Sequence, residues 1–229
     1  MDRQFETWTG LRVAKGSIRS MNPELLHVCR HPIVQSSLAR LRDVHTGPDE
    51  FRRQLRRITA TLAIEALRDL PTRQHSVTTP MGECTGLELA VPIVLVPILR
   101  AGLGMVDPIL DFVPAATVWH VGLYRNEETL QPVEYYNKIP RLDTNATCLV
   151  LDPMLATAGS AVRACQILRQ KGASKLKMLC ILSAPEGIRK FQQELPDIPI
   201  YTSAVDSHLN DIGYIVPGLG DAGDRIFHT

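Results

Sequence analysis

Apolar residues in this chain recur in two rhythms. Phe51, Leu55, Ile58 and Leu62 repeat at i, i+4, i+7 and i+11, while Arg52, Arg53, Arg56 and Arg57 fill the other faces. That period predicts an amphipathic helix over residues 48–70. Further on, short runs rich in branched residues at 93–98, 117–123, 147–151, 176–182 and 200–204 read as strands buried on both faces. Helical stretches separate most of them, notably those at 160–171 and 185–195. Strands alternating with helices predict an α/β fold, a parallel β-sheet flanked by helices. Residues 71–90, with Pro80 and Gly82, predict a hairpin or irregular strands, and residues 1–22 are polar and without period. In such sheets, ligands bind at loops leaving the carboxyl ends of the strands.

Composition narrows the classes. A chain of 229 residues with 45% hydrophobic and 21% charged residues suits one ample domain, with or without a small appendage. Its net charge of +1 gives no general pull toward nucleic acid or an anionic membrane. No run approaches the length of a membrane span, and the first residues show no secretory pattern. The five cysteines, Cys29, Cys84, Cys148, Cys165 and Cys180, have neither zinc-knuckle nor redox spacing. Cys148 and Cys180 lie in apolar runs, where free cysteine behaves as a small hydrophobe. The expectation is a cytoplasmic protein in a reducing compartment. The arginines of 52–57 suit either an anion or effector surface or, more commonly, a solvated helix face.

Four segments carry candidate chemistry. After the strand at 147–151 come Asp152, Pro153, Met154, Leu155, Ala156, Thr157, Ala158, Gly159 and Ser160, and then a helix. Small side chains there let backbone amides reach phosphate oxygens at the positive end of the helix, and Thr157 and Ser160 add hydroxyl donors. Asp152 could accept from sugar hydroxyls. A plain βα turn with an N-cap explains the composition equally well. Residues 96–105 begin as an apolar strand and end with Arg100 among small residues. A charge buried in that setting needs an anion, either a ligand or a buried carboxylate. Residues 122–129 hold Arg125 in a charged stretch. Residues 213–225 hold four glycines and Pro217, which imply a specific backbone path.

Taken together and in this order, the segments resemble the uracil phosphoribosyltransferases, a family of type I phosphoribosyltransferases, from about His27 to the C-terminus. The resemblance implies residues 1–26 as an N-terminal extension, 27–229 as the phosphoribosyltransferase domain, and a small hood built from N- and C-terminal segments. It implies conversion of uracil and 5-phosphoribosyl diphosphate (PRPP) to UMP and diphosphate. The loop 152–160 resembles the PRPP motif, with Pro153 after Asp152 as in the uracil-specific branch. Glycine is the commonest family residue where this chain has Ala158. If that position takes a positive φ, alanine costs about 1 kcal/mol or more.

The family also implies that Arg100 and Arg125 contact the pyrophosphate, with an unusual peptide geometry near Arg100. Uracil is to be held by main-chain groups of Ile215, Gly220, Asp221 and Ala222, with Tyr214 either beside the base or in the core. Asp221 is to contact the sugar or metal shell and to assist proton loss, which makes it a catalytic candidate with Arg100 and Arg125. Magnesium is the expected cofactor, held mainly by PRPP and water, with no protein metal site. A homodimer or homotetramer is implied, with Tyr135, Tyr136 and Lys138 as interface candidates and GTP as a candidate effector. No nucleic-acid or membrane partner is expected. The rivals are a phosphoribosyltransferase for another base and a degenerate nucleotide-sensing or RNA-regulating homologue, which would have lost one of Arg100, Arg125, Asp152 or Asp221.

Overall fold

The computed structural model describes residues 22–125 and 132–229, with only the backbone of Tyr124, Arg125 and Pro132. In chain order it begins with a 3-10 turn (Pro23–Leu25), strand β1 (Leu26–Val28), helices α1 (Pro32–Arg42) and α2 (Pro48–Ala66), and a hairpin of β2 (Thr72–Thr79) and β3 (Gly82–Leu89). There follow β4 (Ile93–Leu99), a 3-10 turn (Ala101–Met105), the short α3 (Asp107–Leu110), β5 (Thr117–Val118), β6 (Val121–Arg125) and β7 (Pro132–Asn137). Next come β8 (Thr147–Leu151), β9 (Met154–Leu155), α4 (Gly159–Gln170), β10 (Lys175–Leu179), β11 (Leu182–Ser183) and α5 (Pro185–Glu194). The chain closes with β12 (Ile200–Thr202), β13 (Ala204–Val205), β14 (His208–Leu209), β15 (Ile215–Val216) and α6 (Ala222–Phe227).

The main sheet runs β1-β12-β10-β8-β4-β6-β7, with β5 also on β4. Every pairing in it is parallel except β6 with β7 at one edge. Alternation within the apolar runs explains the layering. On β4 and β8, Val94, Val96, Ile98, Cys148 and Val150 face one core with α4 and α5. Ile93, Leu95, Leu149 and Leu151 face a second core with α1 and α2. Because both faces are covered, the strands read as continuous apolar runs. Phe51, Leu55, Ile58 and Leu62 are all buried on α2 as the period predicts. The helix ends at Ala66 and not at residue 70, before Pro71 imposes an extended approach.

The predicted run 117–123 is two strands, broken at Trp119 and His120. β5 pairs Val94 with Thr117 and β6 pairs Ile98 with Val121, in unbroken register. Three neighbouring strands, β8, β10 and β12, are each followed by a short strand, and these pair again as β9-β11-β13. That second parallel tier extends beyond the carboxyl ends of the sheet and carries the loop starting at Asp152. The predicted runs 176–182 and 200–204 are therefore each split between the two tiers. The cysteines are free, and all but Cys84 are buried. Burial pushes the Cys148, Cys165 and Cys180 thiols up to about 12, so they stay protonated as packing groups.

Candidate active site

The loop after β8 is shaped by two backbone contacts that only glycine permits. A Cβ on Gly102 would overlap the Leu151 carbonyl oxygen and lie 3.1 Å from Pro97 Cα. A Cβ on Gly187, in the first turn of α5, would overlap the Ala156 carbonyl oxygen and lie 2.7 Å from that of Leu155. The loop is thus pinned from both sides. The Pro153 carbonyl accepts the Ile181 and Leu182 amides, each at 2.9 Å. Pro153 and Leu155 are buried, with Leu155 in the α4–α5 core, while Met154, Ala156, Thr157, Gly159 and Ser160 are half-buried.

Ala158 sits at the N-cap of α4 with φ +61° and offers no side-chain acceptor to the helix start. The helix start therefore lacks the side-chain cap that Ser, Thr, Asp or Asn would supply there. The left-handed backbone at Ala158 is the conformation in which alanine is strained.

Asp152 leaves β8 half-buried, its Oδ1 accepting the Met154 amide at 3.2 Å. Loss of solvent raises its carboxyl to about 7, against the lowering effect of that hydrogen bond and with a further upward push from the Asp221 carboxylate. Asp221 is the N-cap of α6, where its Oδ1 accepts the Asp224 amide at 2.9 Å.

Arg100 differs from the sequence expectation. Burial of β4 ends at Ile98, and the Arg100 side chain is 58% exposed, so no buried charge demands an anion there. Its guanidinium pairs with Asp224 at 3.0 Å. The Leu99–Arg100 peptide is cis, as is Val216–Pro217. The Arg125 side chain, and residues 126–129 of the second cationic segment, lie outside the described residues.

A cleft of about 300 Å³ joins the two halves of the expected site. Asp152, Met154 and Ala156 of the loop after β8 line it together with Tyr214, Ile215, Gly220, Asp221 and Ala222 of the C-terminal segment, and Ala101, Gly213 and Gly223 complete it. Tyr214 is 43% exposed, which places it at the cleft and not in the core. Gly218 and Gly220 have φ of +61° and +80°. The glycine-rich path is held by residues that carried no expectation. Asp206 accepts the Gly218 amide and is clasped by Arg42, and Arg225 donates to the Leu219 carbonyl at 2.9 Å while stacking over Phe51. Glycine in a helix's first turn was the one signal that could have revealed Gly187.

The arginines of α2 are occupied locally. Arg52 donates to the Ile226 carbonyl, Arg53 pairs with Glu50, Arg56 reaches Asp107 and Asp111, and Arg57 meets Gln54. Tyr135 and Tyr136 are exposed on β7, and Lys138 lies 5.9 Å over the Tyr136 ring. Among the described residues, no three His, Cys, Asp or Glu side chains cluster as a metal site, and no helix is long and apolar enough to cross a membrane.

The family model for uracil phosphoribosyltransferase matches residues 28–229. The chain belongs to the uracil phosphoribosyltransferase family. It is 54% identical over 202 residues to the uracil phosphoribosyltransferase of Roseiflexus sp., covering 88% of this chain and 97% of that one. The enzyme of the same name from Halalkalibacterium halodurans is 51% identical over 205 residues, 89% and 98% of the two chains. A solved structure of a protein from Aquifex aeolicus superposes with a TM-score of 0.84 at 36% identity, covering 88% of this chain and 97% of that one. As a member of this family, the chain is a phosphoribosyltransferase, and its sheet with helices on both faces is the family's scaffold.

Proposed function

We propose that this chain transfers the phosphoribosyl group of PRPP to uracil N1, giving UMP and pyrophosphate. The observation that carries the proposal is the cleft in which Asp152, Met154 and Ala156 face the glycine-rich backbone around Gly220, Asp221 and Ala222. A base bound to one wall would meet a sugar phosphate bound to the other.

In this reading the helix start at 156–160 holds the 5′-phosphate through backbone amides and the Thr157 and Ser160 hydroxyls. Asp152 accepts from the ribose hydroxyls. Met154 lines the sugar side, and Pro153 and Leu155 anchor the loop through the second strand tier. Arg100 and Arg125 stabilise charge growing on the departing pyrophosphate, which is where catalysis by electrostatics is most effective. Main-chain groups of Ile215, Gly220, Asp221 and Ala222 read the uracil edge, and Tyr214 flanks the base. A rigid backbone array rejects cytosine because its donor and acceptor pattern is reversed at N3 and position 4, leaving polar groups unpaired. Asp221 keeps its cap on Asp224 while its carboxylate meets the sugar side and assists loss of the N1 proton.

The two cleft carboxylates are hard oxygen donors that suit magnesium carried largely by PRPP oxygens and water. When bound, that ion neutralises pyrophosphate charge. We place the enzyme domain at residues 27–229 with residues 1–26 as an extension, in the cytoplasm, in a homodimer or homotetramer. GTP is a candidate effector, although Arg53 and Arg56 already hold carboxylates.

Incubation of the purified chain with uracil, PRPP and magnesium should yield UMP by chromatography. PRPP binding without any nucleotide product would move the chain to a sensing role.

A further inference from the structure

We propose that Asp224 is a positioning residue for this reaction, an internal carboxylate that holds Arg100 when the cleft is empty and competes with pyrophosphate for it. The inference rests on the reading of Arg100 as a pyrophosphate contact.

Three contacts form the latch. Arg100 Nη2 lies 3.0 Å from Asp224 Oδ1, and Arg100 Nη1 lies 3.4 Å from Thr229 Oγ1. The Thr229 hydroxyl in turn meets Asp224 Oδ1 at 3.2 Å. Arg100 sits at the carboxyl end of β4, and Asp224 in the first turn of α6, three residues after the cleft carboxylate Asp221. A Cβ on the intervening cleft residue Gly223 would lie 3.8 Å from Arg100 Nη2, so the guanidinium rests at the cleft margin.

A guanidinium binds carboxylate and phosphate through the same fork of N–H donors. An anion entering from the cleft therefore competes with Asp224 for that fork and is repelled by its charge. The exposure of the pair, 58% for Arg100 and 49% for Asp224, decides how the contest ends. Solvent-screened pairs are weak and salt-sensitive, so the latch yields to a polyanion that a deeply buried carboxylate would exclude. Asp224 then keeps Arg100 ordered without ligand and eases release of the product afterwards.

The test uses the full chain in steady-state assays of forward transfer. Asp224→Asn keeps an oxygen that can accept from Arg100 but removes the charge. It should lower the KM for PRPP and the inhibition constant of pyrophosphate about two- to fivefold, the range that an exposed pair supplies. The KM for uracil should not move, and the gain should shrink as salt rises. Asp224→Ser, which also keeps a first-turn acceptor, should shift both constants in the same direction, so a folding defect of one variant does not decide the matter. In an Arg100→Gln background the Asp224→Asn effect should vanish. If Arg100→Gln weakens pyrophosphate inhibition but both Asp224 variants leave it unchanged or weaken it, the competition is overturned and Arg100's role stands. If Arg100→Gln leaves pyrophosphate inhibition intact, the reading of Arg100 falls and the inference with it.

Discussion

Arg42 on the first helix clasps Asp206, its Nη1 and Nη2 lying 2.7 and 2.5 Å from the two carboxylate oxygens. The same carboxylate accepts the Gly218 amide at 2.9 Å, and Arg42 Nη1 also reaches the Gly218 carbonyl at 2.8 Å. A pair separated by 164 residues thus fixes the turn two residues ahead of Gly220. Asp206 is only 5% exposed and Arg42 26%, so the pair is largely shielded from water. Asp206→Asn leaves Arg42 without its counter-charge. It should cost about 2–4 kcal/mol of stability, near the lower end for breaking a buried pair because Asn still offers one acceptor. The KM for uracil should rise by more than the KM for PRPP, since the wall proposed to hold the base is what loosens. Thermal melts and the two KM values check this; an unchanged uracil KM would contradict it.

Gly187 governs the opposite wall. Any side chain there meets the Ala156 and Leu155 carbonyls, and neither backbone can give way without moving the loop proposed to hold PRPP. Gly187→Ala should destabilise the protein by about 1–3 kcal/mol, as overpacking does. Here the KM for PRPP should rise more than that for uracil, the reverse of the Asp206 variant. Kinetics of the two variants side by side measure the contrast, and equal effects on both substrates would refute the division of the cleft into two walls.

Ala158 sets two effects against each other. Relief of its left-handed backbone favours Ala158→Gly by about 1–2 kcal/mol. The larger unfolded-state entropy of glycine, about 0.4–1 kcal/mol, and the loss of a buried methyl, about 0.8 kcal/mol, oppose it. The expected outcome is near neutrality, a Tm within roughly 4 °C of the parent. Ala158→Val gains nothing and adds branching at positive φ, so its Tm should fall clearly below both. Calorimetry on the three proteins decides the order.

Asp152 contributes to the pH dependence of stability. Its folded pKa of about 7 lies above the unfolded value of 3.8 because burial disfavours the charge. Between those values the folded state binds more protons than the unfolded one, so this group lowers stability as pH rises through the window. Below 3.8 the penalty is absent, and above about 7 it is fully present. Asp152→Asn should therefore be more stable than the parent by roughly 2–4 kcal/mol at pH 8, with the difference fading toward pH 4, while activity falls. Denaturant melts across that range provide the check. A gap that does not change with pH would rule out the carboxylate as its source.

The parts of the fold that were legible in the sequence are those where one physical demand dominates. The strands Ile93–Leu99 and Thr147–Leu151 are buried on both faces, and α2 has a single apolar stripe, so composition alone marks them. β1, with three residues, and β14 and β15, with two each, are too short to show a period. Their pairing is set by distant partners. Arg100 misled because an apolar strand followed by small residues looks the same whether the charge ends buried or at a cleft margin. Tyr214, open between base and core, is exposed, which removes the core alternative. Arg42, Asp206 and Arg225 act across the chain, and no local pattern joins them.

The most direct measurement of the central claim is pyrophosphate release from PRPP and magnesium, base by base, with and without GTP. The cleft predicts turnover with uracil and a kcat/KM at least about 10³-fold lower for cytosine, as expected where buried polar groups read a base edge. Comparable turnover with cytosine or a purine, or turnover with no base at all, would contradict it.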